Sequence, residues 1–341
     1  MLTQVFKRSV CTAIILSTVC VKSYAQVNWV KVNADFGALP KGFDVFKSTD
    51  SLDGKPFVAY YVKANLKNKK LKFRTDTTFQ RRLTPEQFYQ KNNQPLLVVN
   101  TTFFSFATNS NLNLVVKDGK LVSYNTHTIA LKGKDTLMYK HPFASAIGIS
   151  KKRKADVAWT YTDSSANKSY ALQNVQAPFK DSLSLFSFEN AELYSAEIRD
   201  AGFTGIKKYK PLLQKWKVQT AVGGGPVLVQ NGLVQVTNNE ELKFAGKAIN
   251  DMHPRTLMGY TKDHKIIVMV VEGRNAGIAE GAGLLQAAKL MINVGCVEAL
   301  NLDGGGSSCM LVNGQETIKP SDKGLQRPVP AIFMIQQKAK H

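Results

Sequence analysis

The sequence is short of cysteine, of acid and of long apolar runs, and each shortage excludes something. It holds four cysteines in 341 residues, two of them, Cys11 and Cys20, close to the N-terminus. Cys296 and Cys309 remain, too few for a fold stapled by disulfides. An exported chain would permit a bond between them, but two buried free thiols is the reading adopted. The histidines show no HExxH or paired spacing, so no zinc site is read. No lysine follows a glycine loop in the GxxxxGK[ST] pattern, which excludes a P-loop. No cofactor is expected, although a divalent cation beside an aspartate stays open, because hard cations favour carboxylates next to phosphate.

The scarcity of acid is marked: 25 Asp and Glu stand against 45 Lys and Arg, a formal charge of +20. Such a balance favours anionic partners: phosphate-bearing substrates, anionic glycans or lipid head groups. The bases cluster only at Lys67–Lys72 and Lys151–Lys154, each read as a solvated turn. No nucleic-acid motif accompanies them, so nucleic acid is not an expected partner.

The first apolar run is a leader. Lys7 and Arg8 precede Val10–Val21, and Ser23-Tyr24-Ala25 offers a small-x-small cleavage site. Residues Met1–Ala25 therefore read as a secretory signal, too short for a spanning helix with these flanks. Ser17-Thr18-Val19 before Cys20 is a poor lipobox. The expectation is an exported chain, periplasmic or extracellular, without stable membrane insertion. Residues 26–341 are expected to form a single domain with its core at about 41–336. Oligomeric state cannot be read.

What the chain does have is organised around Val297–Val312, VEALNLDGGGSSCMLV. An apolar run ends at Asn301-Leu302-Asp303, Gly304, Gly305 and Gly306 follow, then Ser307 and a second apolar run. Three glycines pack no side chain and give up much backbone entropy on ordering. They admit close approach of a ligand, and their N–H groups can face an anion. Upstream, Lys265–Val271 is an apolar run ending at Glu272-Gly273-Arg274. Between the two runs, Leu284, Ala287, Ala288 and Met291 recur at helical spacing within Glu280–Gly295. This strand–helix–strand order suits a parallel crossover, which would set Glu272 and Asp303 at one sheet edge.

Earlier segments read as follows. Phe57–Lys63 and Leu71–Arg74 look like neighbouring strands of an antiparallel opening. Leu83–Asn92 is a short helix, with Thr84 as N-cap, Pro85 at the first helical position and Gln87 completing a capping box. Leu96–Val99 is a strand leading into Asn100-Thr101-Thr102-Phe103-Phe104. Asp118-Gly119 predicts a hairpin. The middle third, about 132–217, is hard to read and could contain an insertion; Ala144–Ile149 and Val157–Thr162 are its clearest strands. Gly223-Gly224-Gly225-Pro226 is a second bare-backbone site. His253-Pro254-Arg255-Thr256 holds a histidine and an arginine at a strand start, and a fixed arginine can grip phosphate with two parallel bonds. Val329–Ile335 closes the chain with a last strand.

Taken together, Asn100 to Phe104, Gly223 to Pro226, His253 to Thr256, Glu272 to Arg274 and Asn301 to Ser307 resemble the phosphodiester glycosidase family in motif order and approximate spacing. The resemblance runs from about Lys41 to Gln336, and its last motif is the most specific. It implies an α+β fold with mixed sheets and hydrolysis of sugar-1-phosphodiesters, releasing sugar and a phosphomonoester. It also implies a phosphorylated carbohydrate as partner. Asn100, Arg255, Asp303 and the glycines match the family's site motifs. Two positions depart: Thr101 stands where glycine is usual, and Glu272 where aspartate is frequent.

The residues suit that chemistry. Cleavage at an anomeric carbon passes through an oxocarbenium-like state usually served by two carboxylates. Asp303 and Glu272 are the expected pair, with Arg255 as the third catalytic group. The leaving phosphate holds negative charge well, so fixed positive charge and N–H dipoles matter more than a strong general acid. Thr102, Gly224, Gly225, His253, Arg274, Asn301, Gly304, Gly305, Gly306 and Ser307 join Asn100 as expected substrate contacts. Two other readings stay open: a phosphodiesterase attacking phosphorus in cell-wall or lipid head-group polymers, and a non-catalytic module that binds anionic glycans.

Overall fold

The computed structural model describes residues 27–200, 207–210 and 212–338. The expected leader, Met1–Ala25, lies outside them. Three sheets carry the fold. The largest has eight strands, in the order Val30–Lys31, Phe43–Ser48, Ala59–Asn65, Lys265–Val271, Arg255–Thr261, Cys296–Asn301, Val227–Gln230 and Leu233–Val234. A seven-stranded sheet contains Ala155–Asp163, Ala144–Ile149, Thr220–Gly223 and the hairpin Val115–Lys117 with Lys120–Ser123. A five-stranded sheet orders Gln315–Glu316, Met310–Val312, Leu97–Asn100, Ala331–Gln337 and Leu71–Thr77.

The apolar strand Lys265–Val271 shows why the eight-stranded sheet is the centre. Alternate side chains point to opposite faces of a strand. Ile266, Val268 and Val270 enter the core shared with the other two sheets, where Ile147, Val157, Leu97 and Phe333 also lie. Ile267, Met269 and Val271 enter a second core, beneath the helix Leu284–Asn293. Both faces are covered, so the run has no polar alternation. Each such side chain contributes about 1.5–3 kcal/mol by leaving water. The helix supplies Leu284, Ala287, Ala288 and Met291 to that second core, the same face its spacing predicted. Gly295, just past it, has φ +89° and fits the left-handed position after a helix.

Three expectations are corrected. The sheets are not mixed: every ladder among the described residues is antiparallel. Lys265–Val271 and Cys296–Asn301 each pair with Arg255–Thr261, which lies between them. The two therefore run in the same direction without being neighbours. Ala59–Asn65 and Leu71–Thr77 do not pair with each other either. The chain crosses between sheets at Leu66–Lys70, and Leu71–Thr77 pairs with Ala331–Gln337 instead.

Local chemistry is obeyed closely. Thr84 and Gln87 form the expected capping box on Pro85–Lys91. Asp118-Gly119, Asn231-Gly232 and Asn313-Gly314 all have positive φ at both residues and close hairpins, as two-residue turns of this kind require. Cys296 and Cys309 are buried and free. Four α-helices are present among the described residues, and none is long and apolar enough to cross a membrane.

Candidate active site

The expected motifs come from all three sheets and meet at one end of them. Asn100 ends a strand of the five-stranded sheet, Gly223 ends one of the seven-stranded sheet, and Asn301 ends one of the eight-stranded sheet. Arg255 begins the neighbouring strand and pairs with Val271, the residue before Glu272. Backbone bonds tie these ends together. Asp303 N–H donates to the Thr101 carbonyl at 2.7 Å, Leu302 N–H to Thr256 at 2.8 Å, and Gly225 N–H to Asn301 at 2.7 Å.

Asn100 is the hub. Its side chain is fully buried; Nδ2 donates to the Asp303 carbonyl at 2.6 Å, while Oδ1 accepts from the Thr256 hydroxyl at 2.8 Å and from Cys309 N–H at 3.1 Å. It fixes Asp303 rather than facing open space. Asn301 plays a similar part, donating to the carbonyls of Gly225 and Leu302 at 3.0 and 2.7 Å. Thr102 is buried and donates to Asn111.

Asp303 is the perturbed group. Burial pushes its carboxyl up to about 7; the Ser307 hydroxyl, the Arg327 charge and the Gly304 amide pull the other way and are outweighed. Around it, guanidinium groups fill the space the glycines leave. A side chain at Gly305 would stand 3.0 Å from Arg274 Nη2, and one at Gly306 would collide with the guanidinium of Arg327. Gly304 lies against the Pro254 carbonyl at 2.7 Å by the same measure. The Gly305–Ser307 turn is tightly wound, with the amides of Gly305, Ser307 and Ser308 donating to protein carbonyls. Side-chain charge, more than open amides, therefore gives the loop its character.

Arg255 is 2% exposed. Its Nε donates to the Ala282 carbonyl at 2.8 Å and its Nη2 to the Asp251 carbonyl at 3.1 Å, above the ring of Phe244. Among the described residues it forms no ion pair. Burial and the charge of Arg274 push it down to about 10, against the pull of Asp251. A guanidinium buried without a counter-ion is costly, several kcal/mol even after relaxation, unless something anionic visits it. His253 lies beside Arg255 and Arg274, held low by burial and by both charges, and its Nδ1 is buried without a partner.

Glu272 is 6% exposed, and each oxygen accepts one bond: Oε1 from Asn275 Nδ2 at 2.9 Å and Oε2 from Lys319 N–H at 3.1 Å. The segment it holds continues to Arg327, which pairs with Asp322 at 2.8 Å. The run Gly223–Gly225 behaves differently from Gly304–Gly306. The amides of Gly223, Gly224 and Gly225 donate to Leu114, Ser145 and Asn301, so Gly224 and Gly225 pack strands closely instead of presenting free donors.

Two groups were not singled out by sequence. Arg327 sits in a polar loop with no motif around it. Glu241 backs Gly225 and accepts five bonds, from Ser145 N–H and Oγ, Val227 N–H, Thr237 Oγ1 and Trp159 Nε1. Orphaned polar atoms supply the last local signal. Thr101 Oγ1, His253 Nδ1 and Asn301 Oδ1, three atoms of the expected site motifs, are buried without partners, and buried polar atoms left unsatisfied suit a place where something else binds. No three His, Cys, Asp or Glu side chains converge among the described residues as metal ligands.

Residues 183–336 match the phosphodiester glycosidase family. The matched stretch is a little under half of the chain. The match holds both glycine runs, Arg255, Glu272, Asp303 and Arg327; Asn100 lies before it. The chain is also 28% identical over 103 residues to the bovine (Bos taurus) N-acetylglucosamine-1-phosphodiester alpha-N-acetylglucosaminidase, a stretch covering 28% of this chain and 19% of that enzyme. In fold it is similar to a hypothetical protein from Synechocystis, with TM-score 0.58 and 15% identity over 91% of this chain and 64% of that one. The catalytic domain of the zebrafish N-acetylglucosamine-1-phosphodiester alpha-N-acetylglucosaminidase gives TM-score 0.51 and 17% identity over 92% and 82%. At those identities the likeness is one of fold. That likeness of fold reaches strands before residue 183, since it covers 91% and 92% of this chain.

Proposed function

We propose that the chain is an exported hydrolase that cleaves the glycosidic bond of a sugar-1-phosphodiester, releasing sugar and a phosphomonoester. The observation that carries this reading is Arg255, a buried guanidinium with no ion-pair partner among the described residues, close to Arg274 and to the Asp303 loop. Arg255, Arg274 and Arg327 hold the departing phosphate, whose charge needs fixed positive partners more than a proton. His253 offers a further contact through its orphaned Nδ1. Asp303, with proton affinity near neutrality, takes the proton of the attacking water as the anomeric bond breaks. Glu272 acts through the segment it anchors, because both its oxygens are engaged, and is a positioning residue. The chain works without insertion into a membrane and without nucleic acid.

The test is turnover of a panel of sugar-1-phosphodiesters in isotopically labelled water. Label in the sugar is expected; label in the phosphate would mean attack at phosphorus and overturn the reading. Asp303→Asn is expected to lower kcat/KM by about a thousandfold, in the range of lost acid–base catalysis, and to abolish an inflection near pH 7. Near-normal rates in Asp303→Asn would reject its role, and a wild type that binds without releasing product would leave only a glycan-binding module.

A further inference from the structure

The two lysine runs that look separate in sequence are one surface. Arg153 brings them together: its Nε donates to the Leu66 carbonyl, and its Nη2 to those of Asn68 and Leu71 at 2.8 and 3.0 Å. The turn after Ile149 is thereby pinned to the crossover Leu66–Lys70. Two more basic segments join them. Asn68 Nδ2 donates to the Lys41 carbonyl at 2.8 Å, and Lys338 N–H donates to Lys70 at 2.8 Å. Lys41, Lys67, Lys69, Lys70, Lys72, Lys151, Lys152, Lys154 and Lys338 are all exposed. None of them is in an ion pair among the described residues. The adjoining turn, whose His264 carbonyl accepts from Leu66 N–H, adds Lys262 and one acid, Asp263, which already accepts from Thr261.

Strand register puts this surface opposite the site. Leu71 pairs with Gln337, whereas Asn100 is level with Ile332 and Asp76. Five residues of strand, roughly 17 Å, separate the two levels. The other sheets agree: Asn65 pairs with Lys265 at the lysine end while Val271 leads to Glu272, and Ile149 is at the lysine end while Ala146 pairs with Gly223.

We infer that this pole docks the protein on a bilayer carrying anionic phospholipid head groups, with the active site turned away from the membrane. The reasons are in the side chains. The charges are lysines, compact point charges on flexible stems, and the single arginine is spent as a staple; lysines suit a diffuse layer of phosphates better than one fixed ligand. The surface is made of turns and strand ends, and none of these lysines lines the cavities beside Leu290, Phe103 or Tyr161. A stiff anionic polymer would call for a groove. Clustered lysines at a charged leaflet act additively, within a Debye length of the surface.

The experiment is co-sedimentation of the leader-free protein with phosphatidylcholine vesicles, with and without phosphatidylglycerol. Binding is expected only with phosphatidylglycerol, falling at least tenfold when salt is raised from low to physiological strength. The triple variant Lys67→Glu, Lys69→Glu, Lys70→Glu and the double variant Lys151→Glu, Lys152→Glu should each lose at least tenfold. The control Lys132→Glu, Lys134→Glu, with exposed lysines at the turn Gly133–Asp135, should lose less than threefold. Equal loss in the control would reduce the effect to net charge and overturn the assignment. So would absence of vesicle binding, or retention on dextran sulfate beads alone. Circular dichroism and turnover of the variants separate docking from folding, and neither outcome depends on the reaction proposed above.

Discussion

The chain contains two runs of three glycines, and they do opposite things. At Gly223–Gly225 the neighbours that forbid a side chain are structural: Asn113, the Asn301 carbonyl at 2.5 Å and Glu241. At Gly304–Gly306 they are the Pro254 carbonyl and the guanidinium groups of Arg274 and Arg327. The first run lets strands of two sheets cross closely. The second lets charge close over a carboxylate. Glycine in a sequence marks missing volume; what occupies that volume decides between packing and chemistry.

Two substitutions would sharpen or break that contrast. Gly224→Ala meets backbone that cannot yield, so it should cost about 3 kcal/mol, at the upper end of overpacking, read as a lower denaturation midpoint; any surviving folded protein should keep its kcat. Gly306→Ala meets the movable end of Arg327. It should lower kcat/KM at least tenfold while changing stability by less than about 1 kcal/mol. If both variants lost stability equally, the distinction between the runs would fail.

The smallest effect concerns pH. Asp303 has a folded value raised to about 7 from 3.8. Between those values the folded chain holds a proton that the unfolded chain has released, so this group's contribution to stability is full below about pH 4 and is lost as pH rises through 7. Asp303→Asn removes that decline. Its Tm should match the wild type near pH 4 and exceed it by a few degrees above pH 7. A constant offset across this window would mean that the carboxyl is not perturbed. Activity should move the other way, rising as Asp303 ionises, so the group trades stability for function.

Much of this was legible, and the illegible part has a common cause. Hairpin turns at Asp118-Gly119 and Asn313-Gly314, the cap at Thr84 and the buried face of Leu284–Asn293 follow from interactions within a few residues. The five motifs around Asp303 were legible as motifs, because glycine, proline and charge stood where strands ended. Sheet partners were not: nothing near Leu71 says that its strand pairs with residues at the other end of the chain. Arg327 was missed for the same reason, since only the folded loop carries it to Gly306. That Glu272 accepts from Lys319 N–H was not legible either, because the contact joins segments far apart in the chain.

The three bonds of Asn100 have a mechanical consequence. One short amide couples the acid's own backbone to a hydroxyl from a different sheet, so the reactive carboxylate is located by triangulation and not by the stiffness of its loop. Drift along the outer strands can accumulate freely, but sliding of one sheet past another would throw the acid out of alignment before the protein lost its shape.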